Sequence, residues 1–466
     1  MKFNTKVLII LFFCVNFSIP AFSQSKLQPF KQGDRVVFAG NSITEAGLYE
    51  SYIWLYYMTH YPTRKIEIFN AGIGGDVAGQ IYARLDGDIL KKKPSVLAVT
   101  FGMNDSKYFE YLDKNKPVDD LKRAEIVKEA FTSYQKIEER LKKLPGVSTI
   151  LMASSPYDET AKLEGNLFLG KSKTMEHIIE FQRNSAKTNN WGFVDFFNPM
   201  TEINQREQKK NPAYTNTGTD RIHPGSAGHF IMAYIFLKSQ GLAGSKIADV
   251  VIDAARLKVS KAGNSSITHL KRHYNSISFE YLAKSLPYPI DSVPRVWLNN
   301  QIQTEALSVI PFESEFNQEL LTITGLPVGT YQVEIDEKTV GNWSSKELGV
   351  GINLATIKSS PQHLQSLKIM DLNNRRREVE SKFRNYYWVE YDFLKDKGML
   401  FSRNQASIDT VTKYAPHNGW LNAKKTDYLE IVNHEASVQA KHDDLVNEIY
   451  KVNKPITHRI TISKKP

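Results

Sequence analysis

The sequence is poorest in cysteine. Of its 466 residues only Cys14 carries a thiol, and it lies in an apolar run over residues 7–15 that follows a basic head with Lys2 and Lys6. The run is too short to span a bilayer with its flanks, and Ala21 and Ser23 offer small residues at the usual cleavage positions. Residues 1–23 are therefore expected to be a secretory leader, removed on export to the periplasm or the medium. Phe12 and Phe13 stand where a lipid-anchored leader needs small residues, so no lipid anchor is expected. Without the leader the chain has no cysteine, which excludes disulfides, thiolate nucleophiles and cysteine-type zinc sites. Long apolar stretches are missing after residue 23, so no integral membrane segment is expected in the mature chain. No spacing of His, Asp and Glu suits a metal site, and neither a metal nor an organic cofactor is expected.

An acidic excess is missing too. Sixty Lys and Arg face 50 Asp and Glu, a formal charge of +10 that falls to about +8 when Lys2 and Lys6 leave with the leader. That excess would suit an acidic partner such as a uronic-acid polysaccharide. The basic residues are nevertheless scattered, with short clusters only at residues 91–93 and 375–377, and no nucleic-acid-binding motif accompanies them.

What is present is an ordinary globular composition, 41% apolar and 24% charged, in a chain long enough for two or more domains. Short apolar runs near residues 35–40, 65–69, 95–101, 148–153 and 192–197 alternate with helical patterns over 50–61, 78–90, 116–144, 171–188 and 227–237. This alternation predicts a parallel sheet covered on both faces, with the carboxyl ends of its strands along one edge. Beyond residue 242 the pattern changes. Short β-type runs at 276–281, 295–298, 320–323 and 331–335, punctuated by Pro and Gly, predict a small antiparallel sandwich. A long helix is expected over 362–394 with Pro361 in its first turn, a second over about 435–451, and a closing strand over 459–463. The expected division is 1–23 leader, 24–245 α/β domain, 246–355 β-rich domain and 356–466 mainly helical region.

Four polar blocks fall at strand ends or helix starts. They are Gly40-Asn41-Ser42-Ile43, then Asn70-Ala71-Gly72-Ile73-Gly74-Gly75-Asp76, then Gly102-Met103-Asn104-Asp105, then Asp220-Arg221-Ile222-His223-Pro224. One crevice at the strand ends can hold all four. A serine needs a base to take its proton, and His223 can serve Ser42, with Asp220 on the same turn to hold its imidazole.

In this order the blocks resemble those of the SGNH (GDSL-type) hydrolases, a likeness that covers roughly the first half of the mature chain. The resemblance implies a three-layer α/β/α, flavodoxin-like domain. It also implies a serine esterase in which Ser42, His223 and Asp220 are catalytic and the oxyanion is held by the N–H groups of Ser42 and Gly75 and the amide of Asn104. Asn41 departs from the aspartate of the family's name, which bears on the substrate rather than on the mechanism.

Asp105 reads as a structural residue or a substrate contact, and Tyr108 as a substrate contact. Tyr108, Tyr157 and Trp54 are candidates to line a sugar-binding crevice, with core packing as the alternative. His229 is expected to pack on a buried helix. Arg375 and Arg376 either face solvent or lie across the crevice to meet an acidic substrate. The expected substrates are small-molecule esters or acylated polysaccharides, O-acetyl groups on carbohydrate above all. The alternatives are a lipid or aryl esterase, which would prefer acyl chains beyond butyrate, and an inactive carbohydrate-binding protein, which would bind without turnover.

Overall fold

The computed structural model describes residues 27–112, 118–165, 167–296 and 299–466. The expected leader and Cys14 lie outside these residues. The first strand, β1 (Arg35–Gly40), is central: its buried Val36 pairs in parallel with Ile68 of β2 (Glu67–Gly72) and with Val96 of β3 (Val96–Phe101). A strand covered on both faces needs apolar residues at every position, and Val36, Val37, Phe38 and Ala39 supply them. β4 (Ser148–Ala153) and β5 (Gly192–Asp195) extend the sheet in the order β2-β1-β3-β4-β5, all parallel.

Helices fill the crossovers. In chain order they are α1 (Ser42–Glu45), α2 (Tyr49–His60), α3 (Ala78–Ala83), α4 (Asp120–Leu141), α5 (Lys171–Thr188), α6 (Phe197–Gln208) and α7 (Ser226–Ser239). The helix expected over 78–90 changes character midway, because α3 gives way to a π-helical turn at Leu85–Ile89. α6 was not expected; its Pro199 sits in the first turn, which a helix tolerates.

The β-rich region forms two sheets around one apolar core that includes Ile252, Phe279, Val333 and Ile462. Its strands are β6 (Ala248–Asp253), β7 (Lys258–Gly263), β8 (Ser265–His273), β9 (Ser276–Ala283), β10 (Glu319–Thr324), β11 (Thr330–Ile335), β12 (Lys338–Ser344), β13 (Ile352–Asn353) and, from the far end of the chain, β14 (His458–Lys464). One sheet runs β13-β10-β6-β7 with a parallel β6/β10 pair, and the other, β12-β11-β14-β9-β8, is antiparallel throughout. The strand expected at 295–298 is no more than a bridge between Val296 and Asn299, with 297 and 298 outside the described residues. The segment between β9 and β10, with its short helix α8 (Phe312–Phe316), packs on the α/β domain: Leu286, Tyr288 and Phe312 join that core.

After α9 (Ser345–Val350), the helical region comprises α10 (Pro361–Trp388), α11 (Gln405–Tyr414) and α12 (Gly419–Val452), the last kinked at His434. α10 has Ser360 as its N-cap and continues as a π-helical turn, Val389–Leu394. The helical region packs on α2, whose twelve residues are all buried. A helix apolar on one stripe only can be covered from one side; the aromatic residues around α2 demand covering from several. Asn373 of α10 donates to the Ser51 carbonyl at 3.1 Å, Arg376 lies 4.6 Å over the Trp54 ring, and Asn453 donates to the Met58 carbonyl at 2.9 Å. No helix among the described residues is long and apolar enough to cross a membrane.

Candidate active site

β1 ends at Gly40, and Asn41 caps α1 by accepting a hydrogen bond from the Ile43 N–H at 3.1 Å. An aspartate would accept the same bond, so the departure at this position leaves the turn unchanged. Ser42, first residue of α1, keeps an N–H that the helix itself cannot satisfy. α1 sits directly on the tip of β2: a Cβ at Gly72 would lie 2.2 Å from the Glu45 nitrogen, so only glycine permits this approach.

The Ser42 Oγ is 2.8 Å from His223 Nε2, and His223 Nδ1 is 2.5 Å from Asp220 Oδ2. Asp220 Oδ1 accepts from the N–H groups of Ile222 and His223, both at 2.9 Å. Partial burial works against the Asp220 carboxylate, but the hydrogen bond and charge of His223 and the two backbone donors hold it below its ordinary range. The turn is held by a residue that sequence reasoning passed over. Arg221 is left-handed, φ +67°, and its buried guanidinium donates to the carbonyls of Asp158, Ala161 and Leu163 at 2.8–3.1 Å.

Gly75 also takes a left-handed conformation, φ +87°, with open space where a Cβ would stand. Asn104 donates one amide hydrogen to the Asp76 carbonyl at 2.9 Å, and its Oδ1 accepts from the Tyr108 hydroxyl at 3.0 Å. The amide is thus oriented while its second hydrogen stays available. Asp105 points elsewhere. Its two oxygens accept from Ala78 N–H and Gly102 N–H, both at 2.8 Å, and it is only 6% exposed, so it folds the loop. Lys171, another residue missed, lies buried under the same loop and donates to Met103 O at 2.6 Å, Ser106 Oγ at 2.5 Å and Lys107 O at 2.7 Å, with the Tyr108 ring 3.9 Å away.

A cavity of about 580 Å³ opens on the His223 side of Ser42. Arg295 and Val296 line it from the segment after β9, Arg384 from α10, and Trp420 and Lys424 from α12. Gly75, Asn104 and Tyr108 lie outside it. The arginine cluster divides: Arg375 faces solvent, one of the two expected placements, and Arg376 takes neither. Arg375 is exposed beside Asp371, whereas Arg376 is buried against Glu380 at 2.7 Å and Arg377 donates to the Ala46 carbonyl at 3.2 Å; none of the three lines the cavity. Trp54 and Tyr157 are core residues, not crevice walls. His229 is buried on α7 as expected, beside Tyr49, and desolvation lowers its pKa to about 3.

A buried ion network ties this site to α10. Arg84 donates to Asp76 at 2.6 Å, to the Gly40 carbonyl at 2.9 Å and to Asp88 at 2.8 Å, while both terminal nitrogens of Arg384 reach Asp88 at 2.8 Å. Burial pushes Asp76 up to about 7 against the pull of Arg84. For Asp88, Arg384, Lys92 and Arg84 outweigh an equally complete burial and hold the carboxylate well below its ordinary range.

The sequence of this chain and its fold both have relatives. The GDSL-like Lipase/Acylhydrolase family matches residues 38–231, which include Ser42, Gly75, Asn104, Asp220 and His223. The solved structure of a gut microbial diltiazem-metabolizing enzyme is 43% identical, with a TM-score of 0.91 over 94% of this chain and 99% of its own. The chain belongs to the GDSL-like lipase/acylhydrolase family. This membership agrees with the SGNH blocks and with the parallel five-stranded sheet. Residues 367–454 of this acylhydrolase match the Diltiazem deacetylase C-terminal helical domain. An acetylxylan esterase from Geobacillus stearothermophilus is 27% identical over 229 residues, 45% of this chain and 94% of its own. One relative is thus an esterase, and the helical region matches a domain family named for a deacetylase.

Proposed function

We propose that the protein is a serine acetylesterase that works through Ser42, His223 and Asp220. The observation that carries the reading is the unbroken hydrogen-bonded line from Ser42 Oγ through His223 to Asp220. Ser42 Oγ attacks the ester carbonyl carbon while its proton passes to His223 Nε2. The tetrahedral oxyanion is met by the N–H groups of Ser42 and Gly75 and the free amide hydrogen of Asn104. Its collapse breaks the bond to the alcohol oxygen, which takes the proton from His223 and leaves. Water then attacks the acetyl-serine, gives a proton to His223, and acetate departs as that proton returns to Ser42. Asp220 holds the imidazole and stabilises its charged form without taking its proton.

The acetyl group is supported by two likenesses, to the Diltiazem deacetylase C-terminal helical domain and to an acetylxylan esterase. O-acetylated carbohydrate, met after export, is the proposed natural substrate class. Acetate esters of other small molecules are a second reading, favoured by the diltiazem-metabolizing enzyme. The test begins with a fluorophosphonate probe and peptide mass spectrometry. An adduct on Ser42 that vanishes in His223→Ala is expected, followed by turnover of acetylated glycans that falls as acyl chains lengthen beyond butyrate. An unlabelled wild-type protein that binds glycans without turnover returns the reading to a binding protein.

A further inference from the structure

The alcohol oxygen of an ester must take its proton from His223 Nε2, so the alcohol portion lies on the His223 side of Ser42. That is the side of the 580 Å³ cavity, a volume suited to a molecule of one to a few rings. Asn104 and Gly75, expected to hold the carbonyl oxygen, lie outside this cavity.

The walls of the cavity come in large part from α10 and α12. Trp420, in the first turn of α12, lines it while 68% exposed. Lys424 lies one helical turn further along the same face and is only 8% exposed. Its ammonium donates to Glu45 of α1 at 2.9 Å and to Asn385 of α10 at 2.8 Å. α12 is therefore tethered to the short helix that begins with Ser42, and its first turn, which carries Trp420, is held beside the cavity. The charges of the cavity wall are spent internally. Lys424 pairs with Glu45, Arg384 with Asp88 and Arg295 with Asp291, the last at 2.8 Å. Among the described residues each lining lysine and arginine has a carboxylate partner, whereas the indole face is open to stacking.

Resting on the proposed ester hydrolysis, the geometry points to an alcohol subsite built by the C-terminal helices. In it Trp420 stacks on an uncharged, ring-bearing alcohol and sets the enzyme's alcohol selectivity. Trp420 takes no part in the chemistry; it selects the alcohol.

The experiment compares ethyl acetate, benzyl acetate and 2-naphthylmethyl acetate, primary-alcohol esters with one acyl group and growing rings, and adds benzyl butyrate. Wild-type enzyme is expected to prefer the ring-bearing esters. Trp420→Ala lowers kcat/KM on these by about tenfold, mainly through KM, and changes ethyl acetate by less than about twofold. Trp420→Phe restores most of the loss, and the acetate-to-butyrate ratio on benzyl esters is the same in all three proteins. An equal loss on every ester, no loss on any, or an altered acetate-to-butyrate ratio overturns the assignment. Ser42→Ala on ethyl acetate is the separate control: retained turnover there sinks the serine mechanism, whatever Trp420 does.

Discussion

At the scale of single residues, Asn104 carries the clearest demand. Its amide has one hydrogen tied to Asp76 and its oxygen tied to Tyr108, so the remaining hydrogen has one direction in which to point. Asn104→Ala is expected to lower kcat by about 10²–10³ with little change in KM, the mark of a donor that acts on the transition state. Steady-state kinetics on one acetate ester decides it. Ser42, Gly75, Asn104, Asp220 and His223 were legible in the sequence because each follows a strand or precedes a helix within a short polar block. Lys171, Arg221 and Arg84 were not. Lys171 meets acceptors 64–68 positions away, and nothing local marks a lysine at a helix start as buried. Asp105 was half legible: both its oxygens serve backbone N–H groups, one of them only three residues back.

At the scale of elements, the alternation of strands and helices gave the sheet and most crossovers, since a doubly covered strand and an amphipathic helix write different periods into the sequence. The orientation of α10 was not readable. Its run of three arginines suggests a solvated face, yet Arg376 turns inward to Trp54 and Glu380 because α10 meets α2, which no periodicity could foretell. The π-helical turn after α3 sets Asp88 between Arg84, Lys92 and Arg384. Asp88→Asn removes the one carboxylate shared by these three cations, itself fully buried. A loss of about 3–5 kcal/mol in unfolding free energy is expected from urea titration.

For the whole molecule, stability should depend on pH through carboxyls that the fold keeps out of water. Glu50 lies in the first turn of α2, and burial pushes it from an ordinary 4.5 up to about 8. Between these values the folded protein holds a proton that the unfolded chain has lost. Stability from this group is therefore complete below pH 4.5 and drains away as pH rises toward 8, by about 1.4 kcal/mol per pH unit. Glu50→Gln is expected to remove that slope, measured as unfolding free energy across pH 5.5–7.5; equal slopes in both proteins count against the buried, protonated carboxyl.

β14 has a consequence for how the protein is made. It lies between β9 and β11, yet the ribosome delivers it only after the three long helices that separate them in sequence. Throughout that interval β9 and β11 each stand with one side unpaired, ready to take up a strand from another nascent chain. A message cut short anywhere in the helical region leaves those two edges open for good.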